Sequence, residues 1–288
     1  MNRLRLMRVV QPLMARFPGV AYRLASAAGW LAWQTRPALR RKVIRNLRPV
    51  CGADRQRAKR EGLRSVQNVA RYFVDLASLP RRDMARFEAE HVEVFHTERL
   101  KALDEPGPVI IVSSHTGNAE LAIQAIAARG RPFVALVEAQ EPPEWSAYML
   151  ELRTANGARF VEASNGGLKA LVQALRNGEV LGLMADRDIQ GTGVCAEVFG
   201  RKVMLPRGPW DLARRYEARV LPIFSARKRR DQFRVWVGEP FTVARTDDEG
   251  ADIAAAAGAF AGLLERHLRR DPGQWMVLED FWRNHRCG

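Results

Sequence analysis

Pro108-Val109-Ile110-Ile111-Val112-Ser113-Ser114-His115-Thr116-Gly117-Asn118-Ala119-Glu120-Leu121 is the stretch whose reading decides the fold. A short apolar run stops abruptly at small polar residues, which is how a buried strand reads. Gly117 permits a tight turn, Asn118 is a good helix N-cap, and a helix-like segment with Glu120 near its start follows. A strand that passes through a polar turn into a helix places His115 at the strand's carboxyl end, where open α/β sheets bind their ligands.

The same alternation extends outward. Strands are expected at 108–113, 132–137, 158–161, 179–184, 219–224 and 233–238. Helices are expected near 119–129, 143–156, 166–177 and 207–217, with a last one over about 250–270. Such an order implies βαβ units and a mostly parallel sheet. Upstream, residues 37–79 carry apolar spacings of three and four and read as helices, and Val92–Phe95 reads as a short edge strand. The expected fold class is α/β: a mostly parallel central sheet flanked by helices, preceded by a basic helical region that docks on a membrane. The expected division is residues 1–100, basic, amphipathic and membrane-proximal, and residues 101–288, the α/β domain.

The charge distribution supports that division. The net charge is +14. Residues 1–60 hold 15 Lys and Arg against the single acid Asp54, and the remaining 228 residues hold 31 of each sign. The whole excess therefore sits at the N-terminus and points to an anionic surface. Residues 1–34 mix these bases with Leu, Val, Phe and Trp, but Pro12, Arg16, Pro18 and Arg23 interrupt any run long enough to span a bilayer. No clean apolar core of a signal peptide is present either. The segment reads as interfacial helices with aromatics at headgroup level. A nucleic-acid role would want a basic aromatic sheet face, whereas the expected strands are apolar. Cys51, Cys195 and Cys287 are far apart and form neither a metal-ligand spacing nor a disulfide framework, which implies a reducing compartment.

His115 and Glu120, five residues apart, would not meet on one continuous helix. They can meet if His115 lies in the turn and Glu120 in the first helical turn. An imidazole whose tautomer is fixed by a carboxylate is the base-and-orienter half of a catalytic triad. No nucleophilic serine is needed if the substrate supplies the hydroxyl. Of the remaining candidates, Arg153 is either a guanidinium fork for phosphate or a solvated helix face. Glu138 either pairs with Arg153, binds a sugar hydroxyl, or is an exposed loop acid. Asp186 and Asp188 flank Arg187 after an apolar strand and hold an arginine or a polar headgroup more readily than a metal, because no ligand cluster accompanies them. No metal is expected.

These residues resemble a known family. His115-Thr-Gly-Asn-Ala-Glu120 is similar to the H-x-x-x-x-D/E motif of the lysophospholipid acyltransferase superfamily, above all to the bacterial lipid A late (lauroyl and myristoyl) acyltransferases and the phosphatidylinositol mannoside acyltransferases. Glu138 before Pro142-Pro143, Arg153 before Gly157 and Arg159, and Ala185-Asp186-Arg187-Asp188 before Val198-Phe199-Gly200 resemble later family segments in the same order. The resemblance implies a membrane-associated O-acyltransferase. It would move a fatty acyl group from a thioester, on coenzyme A or acyl carrier protein, to a hydroxyl of a membrane glycolipid. His115 would be the general base and Glu120 its orienter; Gly117 and Asn118 would support the turn. Glu138, Arg153, Asp186 and Arg187 would bind substrate. The acyl thioester is a co-substrate, so no cofactor is expected. The expected partners are the acceptor lipid, an anionic membrane surface and acyl carrier protein as one of the two donors; nucleic acid is not among them. The expected location is the cytoplasmic face of the inner membrane, held peripherally. Two alternatives stand beside this reading: a lysophospholipid or glycerol-phosphate acyltransferase, and a non-catalytic basic protein that binds membranes or nucleic acid.

Overall fold

The computed structural model describes residues 3–127 and 131–287. Five helices come first: α1 (Arg3–Arg16), α2 (Pro18–Thr35), α3 (Pro37–Val50), α4 (Arg55–Ser78) and α5 (Met84–His91). Then follow β1 (Val92–Phe95), β2 (Val109–Ser113), α6 (Ala119–Ala127), β3 (Phe133–Val137), α7 (Pro143–Thr154), β4 (Arg159–Glu162), α8 (Asn165–Arg176) and β5 (Val180–Met184). The chain continues through β6 (Val194–Val198), β7 (Arg201–Leu205), α9 (Gly208–Arg215), β8 (Arg219–Arg229), β9 (Gln232–Val237), α10 (Glu249–Arg270) and α11 (Phe281–Asn284). The helix expected at 119–129 ends at Ala127; its last two positions lie outside the described residues.

Seven strands form one sheet in the order β1-β9-β8-β2-β5-β3-β4, parallel throughout except where β8 meets β9. All five residues of β2 are buried, as the uninterrupted apolar run requires of a central strand covered on both faces. β1 is the edge strand expected at Val92–Phe95. The hairpin β6–β7 stands apart as a second, two-stranded sheet, and nothing in the sequence reading anticipates it.

The N-terminal helices share their core with the sheet. Trp33, Val43 and Leu47 belong to the same apolar cluster as Ile110, Val112 and Phe260. α4 begins where the Asp54 carboxylate accepts the N–H groups of Gln56 and Arg57, satisfying first-turn donors that have no partner within the helix. α10 begins the same way on Asp248. The outer faces of α1 and α2 are different: Leu6, Val9, Leu13, Phe17, Val20, Leu24, Trp30 and Leu31 are exposed, beside the exposed bases Arg5, Arg16 and Arg23. No helix among the described residues is long and apolar enough to cross a membrane.

One expectation fails against the fold. Cys195 on β6 and Cys287 form a disulfide with their Cα atoms 5.9 Å apart. Their 92-residue separation hides a short spatial gap, closed because Arg286 pairs with Val203 on the hairpin. Trp275, Phe281 and Trp282 are buried against one another edge to face and belong to the core.

His267 on α10 is buried, and its Nε2–H meets the carbonyl of Ser225 at 3.3 Å. Burial outweighs that hydrogen bond and pulls its pKa from 6.5 down to about 4. Between those two values the unfolded chain binds a proton that the folded chain refuses. Stability is therefore complete above the unfolded value and falls as pH drops through this window, by about 3 kcal/mol in all. Thermal unfolding followed from about pH 7 to about pH 4.5 should show that loss, and His267→Phe should flatten it.

Candidate active site

β2 and β5 lie parallel with Ser113 opposite Met184, and the N–H of Ala185 donates to the carbonyl of Ser113 at 2.8 Å. Two residues beyond that pair on each strand stand His115 and Asp186. The strand register thus brings the imidazole to the carboxylate. His115 Nδ1 lies 2.7 Å from Asp186 Oδ1, and the His115 backbone N–H donates to Asp186 Oδ2 at 3.1 Å. The indole N–H of Trp275 donates to the same Oδ2 at 3.0 Å. Asp186 is fully buried. Burial works against its charge, but His115 and the hydrogen bonds from His115 and Trp275 outweigh it and hold the carboxyl below the usual carboxylate range. An ionised carboxylate only accepts hydrogen bonds, so His115 carries its proton on Nδ1 and leaves Nε2 as a base. The His115 side chain is about one-third exposed, so this nitrogen is within reach of a substrate.

The turn after His115 is clamped from three sides. Gly117 has φ +62°, and a Cβ there would lie 2.5 Å from the Ser225 carbonyl oxygen, so only glycine fits. The Ser225 hydroxyl donates to the Thr116 carbonyl and accepts the Asn118 N–H. Asn118 Oδ1 caps α6 by accepting the N–H of Leu121, and its amide donates to Asp75 Oδ2 on α4 at 2.8 Å. On the third side residues 274–276 pair with the turn: Gly117 N–H donates to the Gln274 carbonyl and Met276 N–H to the His115 carbonyl.

The expected contact between His115 and Glu120 does not form. Once Asn118 caps the helix, Glu120 in the first turn faces α7 and α4 rather than the turn that holds His115. Arg153 Nε donates to both of its carboxylate oxygens at 3.1 and 3.0 Å, and Arg153 Nη2 reaches the Tyr72 hydroxyl at 2.9 Å. Arg153 is accordingly buried, neither the free phosphate fork nor the solvated residue the sequence allowed. Glu138 is exposed beyond β3, and its suggested pairing with Arg153 is absent. Arg187 pairs with Glu279 at 2.7 Å, and Glu279 also accepts from His285 Nε2 at 2.9 Å. These partners hold Glu279 down to about 2, the His285 hydrogen bond contributing most. Asp188 closes its own loop by accepting the N–H groups of Gly191 and Gly193. Among the described residues no group of three or more His, Cys, Asp or Glu is placed to hold a metal.

The sequence matches the bacterial lipid A biosynthesis acyltransferase family over residues 8–284, nearly the whole chain. The chain belongs to that family. The phosphatidylinositol mannoside acyltransferase of Mycolicibacterium smegmatis is 25% identical over 226 residues, covering 76% of this chain and 71% of that protein. Its counterpart from Mycobacterium tuberculosis H37Rv is 26% identical over 225 residues, covering 76% and 69%. The crystal structure of the 1-acyl-sn-glycerophosphate acyltransferase PlsC from Thermotoga maritima aligns with a TM-score of 0.39 at 13% identity, over 87% of this chain and 98% of that one. The protein is thus an acyltransferase of lipid biosynthesis, and the non-catalytic alternative falls away.

In this acyltransferase the Glu120–Arg153 pair has a structural cost attached. Deleting Glu120 strands a buried guanidinium, so Glu120→Ala should lower unfolding free energy by about 3 kcal/mol in denaturant titration. Adding Arg153→Met should recover most of that loss, because the unpaired buried charge goes with it.

Proposed function

We propose that the enzyme transfers a fatty acyl group from a thioester to a hydroxyl of a membrane glycolipid, with His115 as general base and Asp186 as its orienting partner. The observation that carries this is the 2.7 Å contact from His115 Nδ1 to a buried carboxylate, which leaves Nε2 to take the acceptor's proton. The hydroxyl oxygen then attacks the thioester carbonyl and gives a tetrahedral oxyanion. Collapse breaks the carbon–sulfur bond, and the departing thiolate takes the proton back from the imidazolium. Asp186 stabilises the imidazolium throughout. The backbone N–H groups of Ala119 and Glu120, in the first turn of α6 and without a protein acceptor among the described residues, are oriented donors for developing negative charge. Glu120 serves the site by anchoring α6 to α7 through Arg153 rather than by touching the base.

A glycolipid acceptor is favoured by the relatives, which are named for mannosylated phosphatidylinositol. A bilayer location is supported by the exposed apolar faces of α1 and α2, whose neighbouring arginines suit anionic headgroups. The donor is acyl coenzyme A or acyl-acyl carrier protein; both are cytoplasmic, which puts the catalytic face on the cytoplasmic side of the inner membrane. The Cys195–Cys287 pair would then meet a reducing pool.

Lipids extracted from cells with and without the gene, compared by mass spectrometry, test the proposal. The expected result is one glycolipid that lacks a single acyl chain. A change confined to glycerophospholipids would favour the lysophospholipid reading, and an unchanged lipidome would sink both. In vitro, His115→Ala should lose at least about a thousandfold in acyl transfer while the protein stays folded, its unfolding temperature lowered because buried Asp186 loses the imidazole hydrogen bond. Exchanging Phe17, Leu24 and Trp30 for Ser should weaken binding to anionic vesicles without altering unfolding.

A further inference from the structure

Residues 272–287 run back across the face that carries the site, and Trp275 is the point at which they touch its chemistry. The segment is pinned by α4: Ser65 Oγ donates to the Trp275 carbonyl at 2.5 Å, and the Asn68 amide donates to the Gly273 carbonyl at 3.0 Å. Thr116 and Trp275 form an antiparallel bridge, so the backbone of this segment is registered on the turn that holds His115. The indole is fully buried, with Phe281 packed edge to face at 4.7 Å. Its only polar atom faces Asp186 Oδ2.

We infer that Trp275 is a positioning residue of the active site: its indole N–H, together with the His115 backbone N–H, holds Asp186 Oδ2 and so directs Asp186 Oδ1 at His115 Nδ1. The inference rests on the acyl-transfer reading above. A carboxylate with two oxygens and one imidazole to serve can rotate about its Cβ–Cγ bond or present either oxygen. Two donors on one oxygen remove that freedom, and the imidazole inherits a single orientation. The same bond also tempers the carboxylate. A donor on Oδ2 withdraws negative charge that would otherwise strengthen the bond to Nδ1–H. Trp275 therefore sets both the direction and the strength of the push on His115. Phenylalanine would fill much of the same space and supply neither.

The test replaces Trp275 by 3-benzothienylalanine, which keeps the bicyclic shape and exchanges the N–H for sulfur, and in parallel by Phe. Trp282→Phe is the control. Its indole N–H donates to the Asn46 carbonyl, so it removes a comparable bond from the same segment without touching Asp186. The expected result is a fall of roughly tenfold in kcat with KM for the acyl donor unchanged. The acid limb of the kcat/KM profile should move toward higher pH, because an untempered Asp186 stabilises the imidazolium more strongly. Proton NMR gives a readout that needs no turnover: the Nδ1–H resonance of His115 should move downfield in both Trp275 variants and stay in place in Trp282→Phe. A merely structural tryptophan would lower the unfolding temperature and the active fraction alike at every pH, leaving limb and resonance where they are. That outcome, or wild-type kcat and pH profile in the benzothienyl variant, overturns the inference. Absence of acyl transfer in the unaltered enzyme would instead overturn the reading on which it rests, with the NMR comparison still standing.

Discussion

The register between β2 and β5 is the constraint on which the site depends. Both strands are buried in the middle of the sheet, and parallel pairing leaves them little freedom to slip, since a one-residue shift would turn Ile111 and Val112 to opposite faces. Because the two strands end together, the side chains two residues beyond the last pair on each are neighbours. His115 and Asp186 meet there without any loop having to bend one toward the other. The contact between His115 and Asp186 is thus set by the pairing of the two strands.

Around that point the protein accepts the cost of buried charge. Asp75 and Arg227 are almost wholly inaccessible and paired, with Tyr22 donating to Asp75 Oδ1 at 2.5 Å and Asn118 to Oδ2 at 2.8 Å. Burial, then the adjacent Asp75, pushes the Tyr22 hydroxyl well above its ordinary pKa, so it stays a proton donor. An ion pair of this kind is weak evidence for stability, because desolvation offsets most of its attraction. Its geometry is more informative. One carboxylate joins α2, whose outer face is apolar and exposed, to the residue that caps α6 and to the long strand β8. The Glu120–Arg153–Tyr72 group does the same for α6, α7 and α4. These polar contacts direct which elements meet, although Arg227 Nε finds no hydrogen-bond partner among the described residues.

Much of this was legible before the structure. Alternation of apolar runs with amphipathic segments placed all but the hairpin strands, because the central β2 and β5 bury near-continuous apolar runs and β9 alternates buried with exposed residues. The hairpin was missed because β6 and β7 alternate exposed charge with buried Val and Ala over only five residues each, and neither joins the main sheet. His115, Glu120, Arg153 and Asp186 were all recognised as candidates. Their pairing was not, because spacing along the chain says nothing of strand order, and β5 lies beside β2 only by skipping over β3 and β4. A clue was available: two apolar strands each followed, two residues on, by a group able to share a proton. Trp275 gave no sign beyond its size. Cys195 and Cys287 gave none, since a long separation hides any contact that the fold makes at its end.

The route of residues 272–287 has a consequence for synthesis. Chains emerge from the ribosome N-terminus first, and the β2–β5 part of the sheet is complete some ninety residues before Trp275 appears. Until then Asp186 has no indole above it, and the His115 turn lacks the Gln274 and Met276 backbone partners. A growing chain can therefore complete these strands while His115 and Asp186 still lack those partners. The full set of contacts around His115 and Asp186 is therefore assembled only when the closing segment arrives.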